Sequence, residues 1–456
     1  MTGRTSAVPM TKTPPGPPGV PFLGNLPAPP NQRLEAFQQL RRQYGDVVRL
    51  KIGPRFIYLV SHPDDVQHIL QDNNRNYTKG RALEKAKVLL GEGLLTSEGA
   101  YWRRQRRLAQ PAFHRKRIDG LAGTMTDVTR EMLERWLPIS QAGGELNLSA
   151  EMMRLTLEVV SRTMFGTGLS PEEAQAVGEA LPFILRETNR RLTSLLGIRE
   201  RLPLPSRFHF QEELDKLNRI VMRIIEQRRH SEQRDDLLGM LMSARDEETG
   251  EAMDDHQLRD EVMTIFLAGH ETTANNLSWT IYLLSLHPEE RRKVEEEVDR
   301  VLSGRTPSIE DVPHLVFTRQ VIDESLRLYP PAWAIGRQTI DEDIIGGYPI
   351  PAKSGIIIST YIVHRHPDFW ENPEGFDPQR FTPERARERP RYAFLPFGGG
   401  PRQCIGNNFA LLESTLVLAM ITQRFRLNLV SGHPVEMEPL ITLRPRYGIL
   451  VTIHPR

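Results

Sequence analysis

At 456 residues the chain is long enough to bury a core that encloses a cofactor, and its composition is that of an ordinary globular protein. With 59 basic and 58 acidic residues the formal net charge is +1, which excludes a global electrostatic pull toward nucleic acid or an anionic membrane. A single cysteine, Cys404, excludes an intrachain disulfide and favours a reducing compartment, and the cytoplasm is the expected location.

The first thirteen residues are polar and are expected to be flexible; they lack the apolar stretch of a signal peptide. A Pro/Gly run, Pro14-Pro15-Gly16-Pro17-Pro18-Gly19, follows. Residues 46–62 read as two strands joined at Gly53-Pro54, and Pro63 opens a helix toward Leu70. From about residue 100 to 300 apolar positions recur three or four apart, predicting helices over 127–137, 150–165, 172–196, 211–229 and 256–287. His287-Pro288 ends the last and longest of them. Helices are predicted over 288–303 and 314–329, the second stopped by Pro330-Pro331. Strand and turn signals occupy 346–351 and 355–359, a final helix is expected over 407–424, and strands over 437–453. No stretch approaches the ~18 apolar residues of a membrane span. The expected fold is mainly α, a large helical part with a smaller β-rich part supplied by both ends of the chain. No Pro/Gly boundary separates two composition blocks, so residues 14–456 are expected to form one domain.

Phe397-Gly398-Gly399-Gly400-Pro401-Arg402-Gln403-Cys404-Ile405-Gly406 places the one cysteine in a glycine-rich loop. A thiolate is a strong soft ligand for haem iron, and its electron donation favours O–O cleavage. Holding an anionic sulfur requires backbone N–H groups close by, which glycines permit, and a helix starting near 407 would add its positive N-terminal end. The alternative is a glycine turn with a buried apolar Cys.

The pattern Phe-x-x-Gly-x-Arg-x-Cys-x-Gly resembles the cytochrome P-450 signature at every fixed position, and the resemblance runs from about residue 14 to 454. It implies the fold of that superfamily, haem b (iron protoporphyrin IX) bound through Cys404, and O2 as co-substrate. Phe397, Arg402 and Gly406 join Cys404 as the expected cofactor-binding residues of the loop, with Arg402 pairing a haem propionate. Trp102-Arg103-Arg104-Gln105-Arg106 resembles the family's Trp-x-x-x-Arg, so that Trp102 and Arg106, at i, i+4 on one helix face, would reach a propionate. Arg337 occupies a place where the family often supplies another propionate partner. Glu324-Ser325-Leu326-Arg327 is similar to the family's Glu-x-x-Arg, with Arg380 as third member of a buried structural triad.

Ala268-Gly269-His270-Glu271-Thr272-Thr273 falls inside the longest predicted helix. Glycine and two threonines are poor choices for a helix interior, and a local rule broken there marks a site. The segment resembles the family's oxygen-binding groove, with Ala268 against the cofactor. Thr272 and Glu271 are then the expected catalytic residues, an alcohol and an acid that manage the protons needed to break O–O. His270 has no assigned role.

By the same resemblance the substrate would be lined by Val88, Leu89, Phe183, Ile265, Ala268, Ala334, Ile335 and Ile441, an aliphatic set suited to a lipophilic molecule such as a fatty acid or terpenoid. The expected activity is insertion of one O2 atom, as hydroxylation or epoxidation. Electrons would come from NAD(P)H through a separate ferredoxin or flavodoxin with its reductase, since no flavin or iron–sulfur region is recognisable. Arg103, Arg104, Arg107, Arg115, Lys116 and Arg117 form the basic patch expected to dock it. A bacterial-type monomer without nucleic-acid binding or a membrane span is expected. A peroxide-driven peroxygenase of the same fold and a non-catalytic haem sensor are the alternatives; Glu271 and Thr272 together favour O2 activation.

Overall fold

The computed structural model describes residues 13–20, 24, 25, 28–53, 55–166, 170–193, 205–230, 236–246 and 248–456. The expected flexible segment therefore lies outside the described residues except for Thr13. The chain divides into two compact units: the part up to Arg81 with Leu326–Cys404, and Ala82–Ser325 with Ile405–Arg456.

The first unit is built on a five-stranded sheet. Strands Val47–Ile52 and Arg55–Val60 form the predicted hairpin, with Val47 opposite Val60. Arg55–Val60 pairs in parallel with Gly355–Ile358, which pairs antiparallel with Ile335–Thr339, and Tyr77–Thr78 closes the edge. Alternate residues, among them Val47, Tyr58, Val60, Ile356 and Ile358, form a core with Val66 and Ile69. Pro63 does start a helix, Pro63–Gln67, but at His68 the hydrogen bonding widens into a five-residue π turn, His68–Asp72. Helix Arg33–Tyr44 carries no sequence signal because it buries only Leu34.

The second unit is helical. Ala122–Gln141, Leu148–Phe165, Pro171–Thr193 and Pro205–Arg229 extend or trim the predicted helices by a few residues, with 194–196 outside the described residues. The long helix, Asp255–Leu286, starts at a capping box in which Asp254 and Gln257 satisfy each other's backbone N–H. It is buried on nearly every side and packs along Leu148–Phe165. Gly269 lies on that contact, where a β-carbon would stand 3.1 Å from Val160 Cγ2. Helices Pro288–Leu302 and Asn407–Arg424 and the three-stranded sheet of Glu145–Asn147, Leu450–Pro455 and Phe425–Leu429 complete the unit. The short helix Leu237–Ser243, capped by Asp236, was not anticipated. No helix among the described residues is long and apolar enough to cross a membrane.

Candidate functional site

In the first unit the cysteine loop is shaped by its backbone. The Cys404 N–H donates to the Phe397 carbonyl at 2.9 Å, closing the loop, and Gln403 N–H donates to Gly400 at 3.1 Å. Gly398 and Gly400 have φ of 70° and 68°. Gly400 also passes so close to the Leu70 carbonyl oxygen that a β-carbon there would overlap it. The Cys404 side chain is exposed, whereas Phe397 and Arg402 are half-buried.

The loop is tied to a buried polar chain. Leu395 N–H donates to His364 Nε2 at 2.9 Å. Burial first, then the Arg327 and Arg365 charges, hold the His364 pKa down at about 3, so its ring stays neutral and its Nε2 stays an acceptor. Arg327 donates to the His364 carbonyl at 3.0 Å and to those of Pro373 and Gly375 at 2.6 and 2.8 Å. Arg380 donates to the carbonyls of Glu371 and Asn372. Arg327, Arg380 and Glu324 are all buried. Glu324 stands three residues before Arg327 on helix Val316–Leu328. The two arginines thus spend donors on backbone carbonyls of one long loop. Side-chain spacing could not reveal that, and nothing in the sequence marked His364.

Arg337, in strand Ile335–Thr339, is half-buried and donates to the Gly336 carbonyl at 2.8 Å. Ala334 and Ile335 are half-buried, and Ile335 packs on the sheet's core cluster.

In the second unit the long helix carries the pattern of interest. Between Glu261 and Ile281 every residue is buried except Ile265, Gly269 and Thr272, which are half-buried, and Ala268, which is exposed. These four fall at i, i+3, i+4 and i+7, one stripe left accessible on an otherwise buried helix. Thr272 donates its hydroxyl to the Ala268 carbonyl at 2.7 Å. Glu271 is buried; it accepts from Thr442 Oγ1 at 2.8 Å, and Thr442 in turn accepts from Asn275 Nδ2 at 3.1 Å. Burial raises the Glu271 pKa, against the opposing pull of the Thr442 bond and the Arg444 charge. That Thr442 orients the acid has no sequence signal. His270 is buried and its pKa falls to about 4 because burial disfavours its cation.

Trp102 and Arg106 are half-buried on helix Gly99–Ala109, and Gly406 caps helix Asn407–Arg424. The basic patch is smaller than spacing suggested. Arg107 binds the buried Asp246 at 2.8 Å and Glu248 at 2.8 Å, and Arg104 binds Glu251, Gln257 and the Ala252 carbonyl. Those two arginines clasp the 246–252 segment; Arg103, Arg115, Lys116 and Arg117 remain exposed. Of the expected lining residues, Val88 (52%) and Ile441 (37%) are exposed, and the Phe183 ring meets His209 at a tilt of 50° with centroids 4.4 Å apart. Leu89 is buried, its carbonyl accepting from Arg259 at 3.3 Å.

Among the described residues no three His, Cys, Asp or Glu side chains converge on a metal. A porphyrin carries its own equatorial ligands and needs from the protein one accessible sulfur, which the exposed Cys404 offers. In the first unit the exposed Cys404 thiol and the half-buried Arg337 and Arg402 fit such a group; in the second unit the half-buried Trp102 and Arg106 and the accessible stripe of the long helix do so as well.

The cytochrome P450 family profile matches residues 14–452. The chain belongs to the cytochrome P450 family. This P450 is 39% identical to cyclooctatin synthase of Streptomyces melanosporofaciens, over 94% of the chain and 92% of that protein. It is 35% identical to pentalenene oxygenase of Streptomyces avermitilis, over 92% and 93%. The crystal structure of the cytochrome P450DA heme domain superimposes with a TM-score of 0.88 at 30% identity, covering 97% of both chains. The P450 is accordingly an oxidoreductase of the monooxygenase class, with haem as prosthetic group and O2 as co-substrate.

Proposed function

We propose that this P450 hydroxylates or epoxidises a terpenoid, with Cys404 as the sulfur ligand of the haem iron. The accessible stripe of the long helix, with Thr272 on it and Glu271 buried beside it, is the observation that carries the reading. Its kinship with enzymes named for cyclooctatin, cyclooctat-9-en-7-ol and pentalenene supports the substrate class. So do the exposed apolar side chains of Val88 and Ile441. Arg402, Arg337, Arg106 and Trp102 would hold the propionates. When bound, the haem supplies O2 activation. The Thr272 hydroxyl stands at the accessible face and would turn from the Ala268 carbonyl to pass a proton there. Glu271, held by Thr442, exchanges protons with it because burial brings its pKa closer to neutrality. Glu324, Arg327 and Arg380 keep the loop around His364 in place. Electrons come from NAD(P)H through a separate acidic ferredoxin or flavodoxin, for which the exposed Arg103, Arg115, Lys116 and Arg117 are suited. The unbroken family match over 14–452 supports one haem domain, and the Streptomyces relatives support a bacterial cytoplasmic setting.

The test is turnover with NAD(P)H, a surrogate ferredoxin pair and labelled O2 on a panel of terpenoids and fatty acids. Label in an oxygenated terpenoid is expected; product from peroxide alone, with none from O2, contradicts the reading. Thr272→Ala should leave the substrate-induced spin shift intact while product per NAD(P)H falls about tenfold or more, diverted to peroxide. A loss of substrate affinity alone would contradict the proton role.

A further inference from the structure

Strands Met437–Pro439 and Leu443–Pro445 of the second unit form a short hairpin, with Glu438 opposite Arg444 and Pro439 opposite Leu443. Its base is fixed twice. Arg444 Nε donates to Glu438 Oε2 at 2.8 Å across the strands, and the carbonyl of the buried Leu443 accepts from Trp279 Nε1 of the long helix at 3.1 Å. The tip is tight, the Leu440 N–H donating to the Thr442 carbonyl at 3.1 Å.

Two neighbours at that tip have opposite surroundings. Ile441 is exposed, whereas Thr442 is buried and bridges two residues one turn apart on the long helix. Its hydroxyl donates to Glu271 at 2.8 Å and accepts from Asn275 at 3.1 Å. Consecutive Cα atoms are about 3.8 Å apart, so a push on Ile441 is felt at Thr442. A shift of about 1 Å is enough to break a hydrogen bond of 2.8 Å. The hairpin also sets the charge of the acid. Burial raises the Glu271 pKa, and the two influences that oppose it, the Thr442 bond and the Arg444 charge, both come from this hairpin. A seated tip therefore favours the carboxylate. A tip drawn back leaves burial to act alone and favours the neutral acid, the form that can give up a proton.

We propose that this hairpin makes proton delivery conditional on substrate: an apolar molecule lying along the accessible stripe presses Ile441, the tip shifts as a unit, and Thr442 lets go of Glu271. Thr442 is then a positioning residue, and Ile441 is the side chain that reads occupancy. The inference rests on the monooxygenase reading above, with Glu271 as its acid. The released carboxylate takes up a proton from water and passes one to the Thr272 hydroxyl as that hydroxyl gives up its own. Water then reprotonates it; no electron moves, and when the substrate leaves, the tip seats again.

Two measurements on the haem-loaded enzyme test it, with the terpenoid of the panel above that gives the largest spin shift as probe. Infrared difference spectra, probe-bound minus probe-free, should contain a carboxyl band in wild type that is missing in Glu271→Gln. The band should shrink several-fold in Ile441→Ala and persist in Thr442→Ser, which keeps the hydroxyl. No Glu271 band in wild type, or a band of full size in Ile441→Ala, overturns the proposal. At saturating probe, Ile441→Ala should give several-fold less product per NAD(P)H. Adding Thr442→Val, which has no hydroxyl to hold the acid, should restore most of that loss. An Ile441 that only packs against substrate gains nothing from the second change, and that result overturns the coupling. Where Thr442→Val loads no haem, the infrared comparison of wild type with Ile441→Ala decides alone. A wild type that shifts its spin state yet oxygenates nothing defeats the monooxygenase reading, and the infrared band then still decides whether the probe releases Glu271.

Discussion

The cysteine loop is shaped by backbone and the long helix by side chains, and each tolerates change accordingly. In the loop, glycines at positive φ fold the chain against the Leu70 carbonyl, and the fixed points are N–H and C=O groups. In the long helix the backbone is regular, and the chemistry comes from which side chains lie on the accessible stripe and which acids are buried next to it. Both contain a glycine whose β-carbon would meet a neighbour, but the neighbours differ in kind. At Gly400 it is a carbonyl oxygen that cannot yield; at Gly269 it is the methyl of Val160, which can.

The largest effect should follow from Gly400→Ala. Overlap with Leu70 and a left-handed φ combine, so haem-loaded protein should be lost, as measured by haem content per chain. Normal haem loading would remove the backbone from the account of the loop.

An intermediate effect comes from His270, whose pKa falls from 6.5 to about 4 on folding. Between those values the unfolded chain binds the extra proton, so its contribution is complete above about pH 6.5 and is lost as pH falls toward 4. One group over that range amounts to roughly 3 kcal/mol. His364 acts in the same direction. Denaturation against pH should show a shallower acid limb in His270→Gln than in wild type. Identical slopes would mean that the long helix does not bury a neutral imidazole.

The smallest change is expected at Gly269→Ala. Alanine gains about 1 kcal/mol of helix propensity and must displace one methyl at 3.1 Å, so stability should move by no more than about 1 kcal/mol. A loss as deep as that of Gly400→Ala would abolish the contrast between the two regions.

The same contrast explains what could be read beforehand. The helices of the second unit were legible because their apolar positions keep a period near 3.6, and the cysteine loop because its residue types are so constrained by geometry. Helix Arg33–Tyr44 was not, since it buries one leucine. Within the site, Gly269, Thr272 and Thr273 stand out as poor helix formers and Cys404 as the one cysteine of a glycine-rich loop, whereas Glu271 is marked only by the resemblance to the family. His364 and Thr442 do not stand out, because they act through long-range hydrogen bonds to Leu395 and Glu271 that no local spacing encodes. Arg107 has the spacing of a docking cation, but the buried Asp246 pairs with it. Charge in a sequence says nothing of whether a partner within the chain has already claimed it.

The central claim is that Cys404 ligates iron as a thiolate, and the most direct measurement is the absorption spectrum of the reduced carbon-monoxide complex. Wild type should show the strongly red-shifted Soret band of thiolate-bound haem, and Cys404→His should lose it while retaining haem. A red-shifted band that survives in Cys404→His would contradict the account.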